Sequence, residues 1–248
     1  MAIFTVLVQP AAAFAREDPS TSPPPVTALD RITVTAQHRE ENVQTIALAI
    51  SVVDGQTLQR RQAIDISRLQ ALVPSVTFSA GNELRNAAIR IRGVGTDVFS
   101  TGVEPSIATV VDGVVLQRPG AAFSDLLDVE RVEVLRGPQG TLFGKNASAG
   151  VIQLISRAPD TERRSGSLSV QAGQPNAYRV EGALSGPLTD HLAYRIAAFG
   201  RRRDGDVDNL HDGRTLNGQR AYGIRGTLQW RYPDQRSDVT LSADASRL

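Results

Sequence analysis

The 248 residues contain no cysteine. Neither disulfides nor thiolate metal sites can therefore hold the fold, which must rest on packing and hydrogen bonds. Histidine is scarce and scattered: His38, His191 and His211 share no ligand spacing, and no metal site or cofactor is expected. Lysine occurs once, as Lys145, and every other basic side chain except histidine is arginine. The net charge of +1 gives no reason to expect nucleic acid or an anionic surface as the main partner. Beyond Ala15 no stretch approaches the ~20 apolar residues of a membrane-spanning helix. Entry into a membrane would have to be by β-strands. No catalytic set of residues emerges, so no enzymatic activity is expected.

What the chain does have is a glycine-punctuated stretch, Leu135 to Pro159, with Gly137, Gly140, Gly144 and Gly150 set among short apolar runs. The backbone must turn sharply several times inside a packed body. The flanking runs, Val129 to Leu135 and Val151 to Ile155, are short and β-branched, which suits buried strands better than helices. Gly144-Lys145 invites comparison with a phosphate-binding loop, but Gln139 occupies the first glycine position of that motif and Asn146 follows the lysine. The nucleotide-binding reading fails at both places. A purely structural role explains most of the glycines.

Together with Ile91-Arg92-Gly93, the run Val110 to Val114 and the run Asp128 to Val134, this stretch closely resembles the plug domain of TonB-dependent outer-membrane receptors, nearly unbroken from Ile32 to Pro159. The resemblance implies an α+β plug domain followed by antiparallel β-strands of an incomplete transmembrane β-barrel. It implies a plug motif of Gly93, Gly137, Pro138, Gly140, Gly144 and Asn146. It also implies that Arg92 and Arg136 face barrel carboxylates and lock the plug in place, a task suited to a charged fork. Local pairing with Asp128, Glu130 or Glu133 is the competing reading. Ligand-facing apex candidates fall in Ala80 to Leu84 and Thr96 to Glu104, represented by Gly81, Asn82, Asp97 and Phe99; ordinary solvent-facing turns are the alternative.

Taken in order, residues 1–15 read as a signal peptide ending in Ala13-Phe14-Ala15, a small-x-small cleavage pattern. No basic residue precedes its apolar core, so the start codon is expected upstream; a buried N-terminal element is the alternative. Residues 16–31, with Pro23-Pro24-Pro25, read as a disordered tether. Ile32, Thr33, Val34, Thr35 and Ala36 then resemble the TonB box, a β-former that can add as a strand to the periplasmic domain of TonB. The first strand of the plug is the other reading of the same five residues. The plug is expected over 40–159. Strands are expected at Ala47 to Val53, Ala88 to Arg92, Ser106 to Asp112 and Arg131 to Leu135. Helices are expected at Gln56 to Gln62 and Asp65 to Leu72, and a helical turn over Asp125 to Glu130.

From residue 164 to 248 the chain alternates with period two. Tyr222, Ile224, Leu228, Trp230 and Tyr232 share one face, and Arg225, Thr227, Gln229 and Arg231 the other. About five strands of ~10 residues, with interfacial aromatics, match a transmembrane barrel facing outer-membrane lipid. Short turns at Gly186 to His191 and Pro233 to Ser237 belong on the periplasmic side, and the long polar Asp204 to Gly218 outside. Asp204 to Asn209 begins like a calcium loop, but Asn209 and Thr215 stand where that loop needs Gly and Glu. Because the family's barrels have ~22 strands, the chain is expected to be the N-terminal part of a receptor, as a fragment or a truncated gene product. The expected function is energised uptake of a scarce nutrient, in particular a ferric siderophore, at the cell outer membrane. The alternative is a periplasmic module that binds TonB without transport.

Overall fold

The computed structural model describes residues 33–34, 41–63, 65–79, 88–97, 103–116, 126–173, 176–205, 207–213, 215–232 and 237–247. Residues 1–32 lie outside that set, as do Thr35, Ala36, Gly81, Asn82 and Phe99. The expectations placed on them therefore have no structural counterpart here.

The first body is built on a five-stranded sheet. Its strands are β3 (Ile50–Asp54), β7 (Ile107–Val111), β8 (Val114–Leu116), β9 (Val129–Arg136) and β10 (Gly150–Ser156), in the order β3-β9-β10-β7-β8. Only β10 and β7 run parallel; β3, β9 and β8 are antiparallel to their neighbours. Both faces are covered, which is why β7 and β10 read as nearly continuous apolar runs. On one face Val132, Val134 and Ile152 pack with Ile66, Leu69 and Val76. On the other, Leu135 and Val151 pack with Val34, Val110 and Phe143.

Two strand clusters and two short helices complete this body. Strands β1 (Thr33–Val34) and β2 (Glu41–Asn42) pair antiparallel, and β4 (Val76–Ser79), β5 (Ala88–Ile91) and β6 (Val94–Gly95) form a small meander. Helix α1 (Gly55–Arg60) begins at Asp54, whose carboxylate accepts from the Thr57 N–H at 2.8 Å and the Thr57 hydroxyl at 2.7 Å. The second helix, Ile66–Ala71, is a 3-10 helix. The spacing explains it: Ile66, Leu69 and Leu72 recur every three residues, and three residues per turn stacks them on one face. The expected helical turn over Asp125 to Glu130 is corrected. Residues 127–128 form a turn, with Asp128 at φ 55°, and Val129 and Glu130 already belong to β9. β-Branched Val129 pairs with Ser156 in the ladder, and that pairing overrides helical continuation.

The second body is an antiparallel meander of β11 (Ser165–Gly173), β12 (Ala177–Thr189), β13 (Leu192–Arg203), β16 (Gln219–Arg231) and β17 (Asp238–Arg247), hydrogen-bonded in that order. The expected turn Gly186 to His191 is shorter than the sequence reading placed it, because β12 runs on through Pro187 to Thr189 at a register irregularity. Between β13 and β16 the polar segment folds back as a small hairpin of β14 (Val207–Asp208) and β15 (Thr215–Leu216). One face of the meander presents Leu168, Val170, Val180, Leu184, Ile196, Ile224, Leu228 and Leu241, all exposed. Exposed apolar side chains in such density mark a surface made for a solvent other than water. Tyr222 and Trp230 bound that surface on β16, and between them the strand rises about 27 Å at ~3.4 Å per residue. The apolar band of an outer-membrane barrel is about 25 Å tall.

Candidate functional site

The glycine-punctuated stretch is the loop that joins β9 to β10, two strands paired from Gly150↔Arg136 onward. After Arg136 the chain reverses at Gly137 (φ 92°) and is pinned by Gly137 N–H to Ala149 O at 3.1 Å and Gln139 N–H to Ala147 O at 2.8 Å. Pro138 follows the reversal, and helix α2 (Gly140–Phe143) drops Phe143 into the core before the chain turns again at Gly144 (φ 73°) and Asn146 (φ 69°). These positive φ values account physically for the glycines at 137 and 144 and the asparagine at 146. Gly140 has a negative φ and open space around it.

Arg92 and Gly93 form the two-residue turn between β5 and β6, with φ of 54° and 78°. Positive φ at both central positions is the tight hairpin turn that matches strand twist. The Arg92 N–H donates to Ser75 O at 2.7 Å, while its guanidinium is exposed and has no ion pair among the described residues. Arg136 is placed differently. Its guanidinium donates to the Ala49 and Ile50 carbonyls at 3.3 and 3.0 Å, bracing β9 against the segment that leads into β3. Neither arginine meets Asp128, Glu130 or Glu133; Arg131 takes Glu130 and the fully buried Glu133 instead.

The seat of the first body on the meander is made by groups that the sequence did not single out. The turn 127–128 presses into the inward face of the strands. Leu127 is buried among Ala183, Ala197, Phe199 and Ala221, where small residues on neighbouring strands leave a hole for it. Beside it Asp128 accepts both forks of Arg195 on β13, at 2.5 and 2.6 Å. Arg225 on β16 donates to the Ser156 hydroxyl and lies 4.0 Å from Asp112. The Asp160 N–H donates to the Ser185 hydroxyl at 2.8 Å. Where the chain passes from one body to the other, Asp160 also accepts the N–H groups of Arg163 and Glu162, which hold its carboxyl below the ordinary value. In these contacts cations stand on the strand wall and carboxylates on the inner body, opposite in sign to the lock expected from Arg92 and Arg136. The alternation pattern was the available signal: Arg195 and Arg225 sit on the polar side of their strands.

Thr33 and Val34 of the five-residue β-former are held within the first body. Val34 is fully buried beneath β7, β9 and β10, and Thr33 pairs with Asn42. Asp97, one of the apex candidates, is exposed and pairs with Arg90. Asp204 of the calcium-like run pairs with Arg202 at 3.2 Å and accepts from Asn176 at 3.0 Å. No group of acidic and histidine side chains suited to a metal ion occurs among the described residues. A cleft of about 630 Å³ opens between the two bodies, lined by Arg61 and Arg68 from one side and Arg179, Arg201 and Arg203 from the other, with Asp65. Its walls favour a ligand of negative charge.

A folded domain bolted to the inward face of strands whose outward face is apolar defines a plugged β-barrel membrane protein. A family model for the TonB-dependent receptor plug domain matches residues 42–151. The pesticin receptor of Yersinia pestis is 34% identical over 158 residues, covering 62% of this chain and 23% of that protein. The ferric enterobactin receptor PirA of Pseudomonas aeruginosa is 30% identical over 220 residues, covering 77% of this chain and 30% of that protein. Among solved structures, the ferric yersiniabactin uptake receptor FyuA of Yersinia pestis superposes with a TM-score of 0.74 at 28% identity, over 80% of this chain and 31% of that one. The chain thus spans 23% to 30% of the length of these two curated relatives. It belongs to the TonB-dependent receptor family, whose place is the outer membrane of Gram-negative bacteria.

Proposed function

We propose that this chain supplies the plug and the adjoining wall of an outer-membrane receptor that takes up a ferric siderophore, energised by the periplasmic domain of TonB. The observation that carries the reading is the seating of the plug. Its turn at Leu127 and Asp128 is anchored to inward-facing side chains only, so the plug occupies the side of the wall away from lipid. The names of the relatives, which include ferric enterobactin and ferric yersiniabactin receptors, support a ferric siderophore as cargo. The arginine-lined cleft supports an anionic complex.

In this reading residues 1–15 direct export, 16–31 form the tether, and Ile32 to Ala36 form the TonB box, of which Val34 is docked in the plug until TonB draws on it. Residues 40–159 are the plug and 164–248 the first strands of the barrel. The exposed guanidinium of Arg92 would meet a barrel carboxylate, whereas Arg136 donates to the Ala49 and Ile50 carbonyls of the plug itself. Gly81, Asn82, Asp97 and Phe99 form part of the ligand-facing apex.

The burial of Val34 dictates the choice of test, since a proline there would damage the core as well as the box. Thr35→Pro is the cleaner change. In cells making the receptor, it is expected to abolish radio-iron uptake from the ferric siderophore while leaving siderophore binding at the cell surface intact. Undiminished uptake by Thr35→Pro would remove the box assignment.

A further inference from the structure

The cleft between the 3-10 helix and the wall is more selective than a preference for negative charge. Six arginines line it against a single carboxylate, Asp65. Two of the lining residues, Tyr178 and Arg202, alternate to the opposite face of the wall, because Arg179, Arg201 and Arg203 share the inward side with Phe199. Five guanidinium groups remain, Arg61 and Arg68 on the plug and Arg179, Arg201 and Arg203 on the wall. Asp65 offsets one of these charges at most, and its carboxylate is turned to cap the helix, accepting from the Ser67 hydroxyl and from the Arg68 N–H at 3.3 Å. Arg179 is already engaged: it pairs with Glu181 at 2.9 Å and lies over the Phe199 ring at 5.0 Å. Arg61 and Arg68 are exposed and have no ion pair among the described residues. Arg203 donates to the Asn217 carbonyl at 3.3 Å, while its buried Nε has no hydrogen-bond partner among those residues.

Facing walls of like charge repel one another across an empty cleft, and an unpartnered buried donor carries a desolvation cost. An anion entering between the walls removes both penalties. The volume of about 630 Å³ lies in the range of small-molecule sites and exceeds what one inorganic ion fills. Arg201, Arg203 and Gln219 stand at the end of the strands where the long β13–β16 connection emerges, the outer mouth of a barrel of this kind. Guanidinium forks fit carboxylates through two parallel hydrogen bonds. What the cleft lacks narrows the chemistry further. Among the described residues Tyr178 is its one aromatic lining residue and faces away, so catechol rings would find no ring to stack on. Gln62, Gln70, Gln171 and Gln219 offer amides that suit hydroxyl and carbonyl groups.

We infer that the cargo is the ferric complex of a polycarboxylate, of the α-hydroxycarboxylate kind, and that Arg61, Arg68, Arg201 and Arg203 hold its carboxylates. The glutamines take its hydroxyl and carbonyl oxygens. The inference rests on the uptake reading above and deepens it, from an anionic ferric siderophore to one recognised through carboxylates. A ferric catecholate is anionic too, but its rings have no partner in this cleft, and a hydroxamate complex offers the arginines no carboxylate.

The test uses the full chain in detergent micelles, titrated with radio-iron as ferric citrate, as ferric enterobactin, a catecholate, and as ferrioxamine, a hydroxamate. Ferric citrate should bind most tightly, and inorganic phosphate should not displace it at comparable concentration. At roughly tenfold per hydrogen bond to a charged group, the double variant Arg68→Gln/Arg203→Gln is expected to bind ferric citrate about a hundredfold more weakly. Arg68→Lys/Arg203→Lys, which keeps the charge and loses the forks, should fall between, and it carries the test if the Gln variant fails to fold. Wild-type affinity should also drop as sodium chloride is raised from about 0.05 M to about 0.5 M, because salt screens charge attraction. Unchanged ferric citrate binding by the folded Gln variant, or displacement by equal phosphate, overturns the inference. Tighter binding of ferric enterobactin or ferrioxamine overturns it while leaving the uptake reading in place. Binding of none of the three iron complexes removes the uptake reading and the inference together.

Discussion

The pairing of Asp128 with Arg195 is the strongest polar link between plug and wall, and a double-mutant cycle tests it directly. The two side chains are 9% and 12% exposed, so solvent screens them little. At about 4 Å between charge centres and an effective dielectric of about 20, the attraction is about 4 kcal/mol. The desolvation of both groups offsets much of that gain. Removing a single partner is another matter, since the remaining charge stays buried and unpaired at a cost of about 3–5 kcal/mol. Arg195→Met leaves the carboxylate stranded. Asp128→Asn strands the guanidinium while tolerating the positive φ of that position. The double variant should be far less unstable than the sum of the singles, with a coupling of about 2 kcal/mol. Urea unfolding in micelles measures it with two probes. Trp230, the single tryptophan, reports on the wall, and the tryptic fragments cut within residues 40–159 report on the plug. In each single variant plug cleavage should begin at lower urea than the Trp230 transition. A coupling below about 0.5 kcal/mol, the level of ordinary additivity, would refute the account of the seat.

Two further perturbations follow from local geometry. Burial pushes the Asp54 carboxyl up, but the hydrogen bonds from the Thr57 hydroxyl and N–H outweigh it and hold the pKa below 3.8. A depressed carboxylate contributes stability that is present above its unfolded value and lost as pH falls through its folded one. Wild type should therefore lose the cap's contribution below about pH 3.8, whereas Asp54→Asn, which caps without titrating, should lack that component in its unfolding midpoint against pH. In the β9–β10 loop, Gly137→Ala should cost about 1–2 kcal/mol because φ there is positive. Gly140→Ala, with open space around it, should be neutral or slightly stabilising in the same thermal melt.

Much of the architecture was legible because it rests on local rules. The β-branched runs around the glycine stretch become β9 and β10, and the period-two segments become β11, β12, β13, β16 and β17, since a strand's faces follow directly from alternation. The 3-10 helix was visible as a helix through its three-residue spacing. The turn at Leu127 and Asp128 was misread as helical because its conformation is imposed from outside, by an alanine-lined hole and an arginine on strands more than fifty residues away. The same cause hid the polarity of the plug–wall contact. Alternation placed Arg225 on the inward face, but nothing in the sequence indicates which carboxylate a given guanidinium will meet.

The position of Val34 illustrates where a sequence reading divides and a structure joins its halves. The five residues Ile32 to Ala36 could be a box offered to a partner or the first strand of the plug. Val34 is fully buried among Ala108, Val110, Leu135 and Phe143, while among the described residues its strand comprises Thr33 and Val34, paired with β2. One buried valine contributes about 1.5–3 kcal/mol, and a two-residue edge pairing adds little. A segment held that weakly can serve as a plug strand at rest and remain available to a partner that offers a longer ladder. Under force, its docking sets a threshold instead of a barrier. If Ile32 to Ala36 is the box proposed above, the two readings describe two states of one strand, and leaving the plug would expose the Val34 side chain.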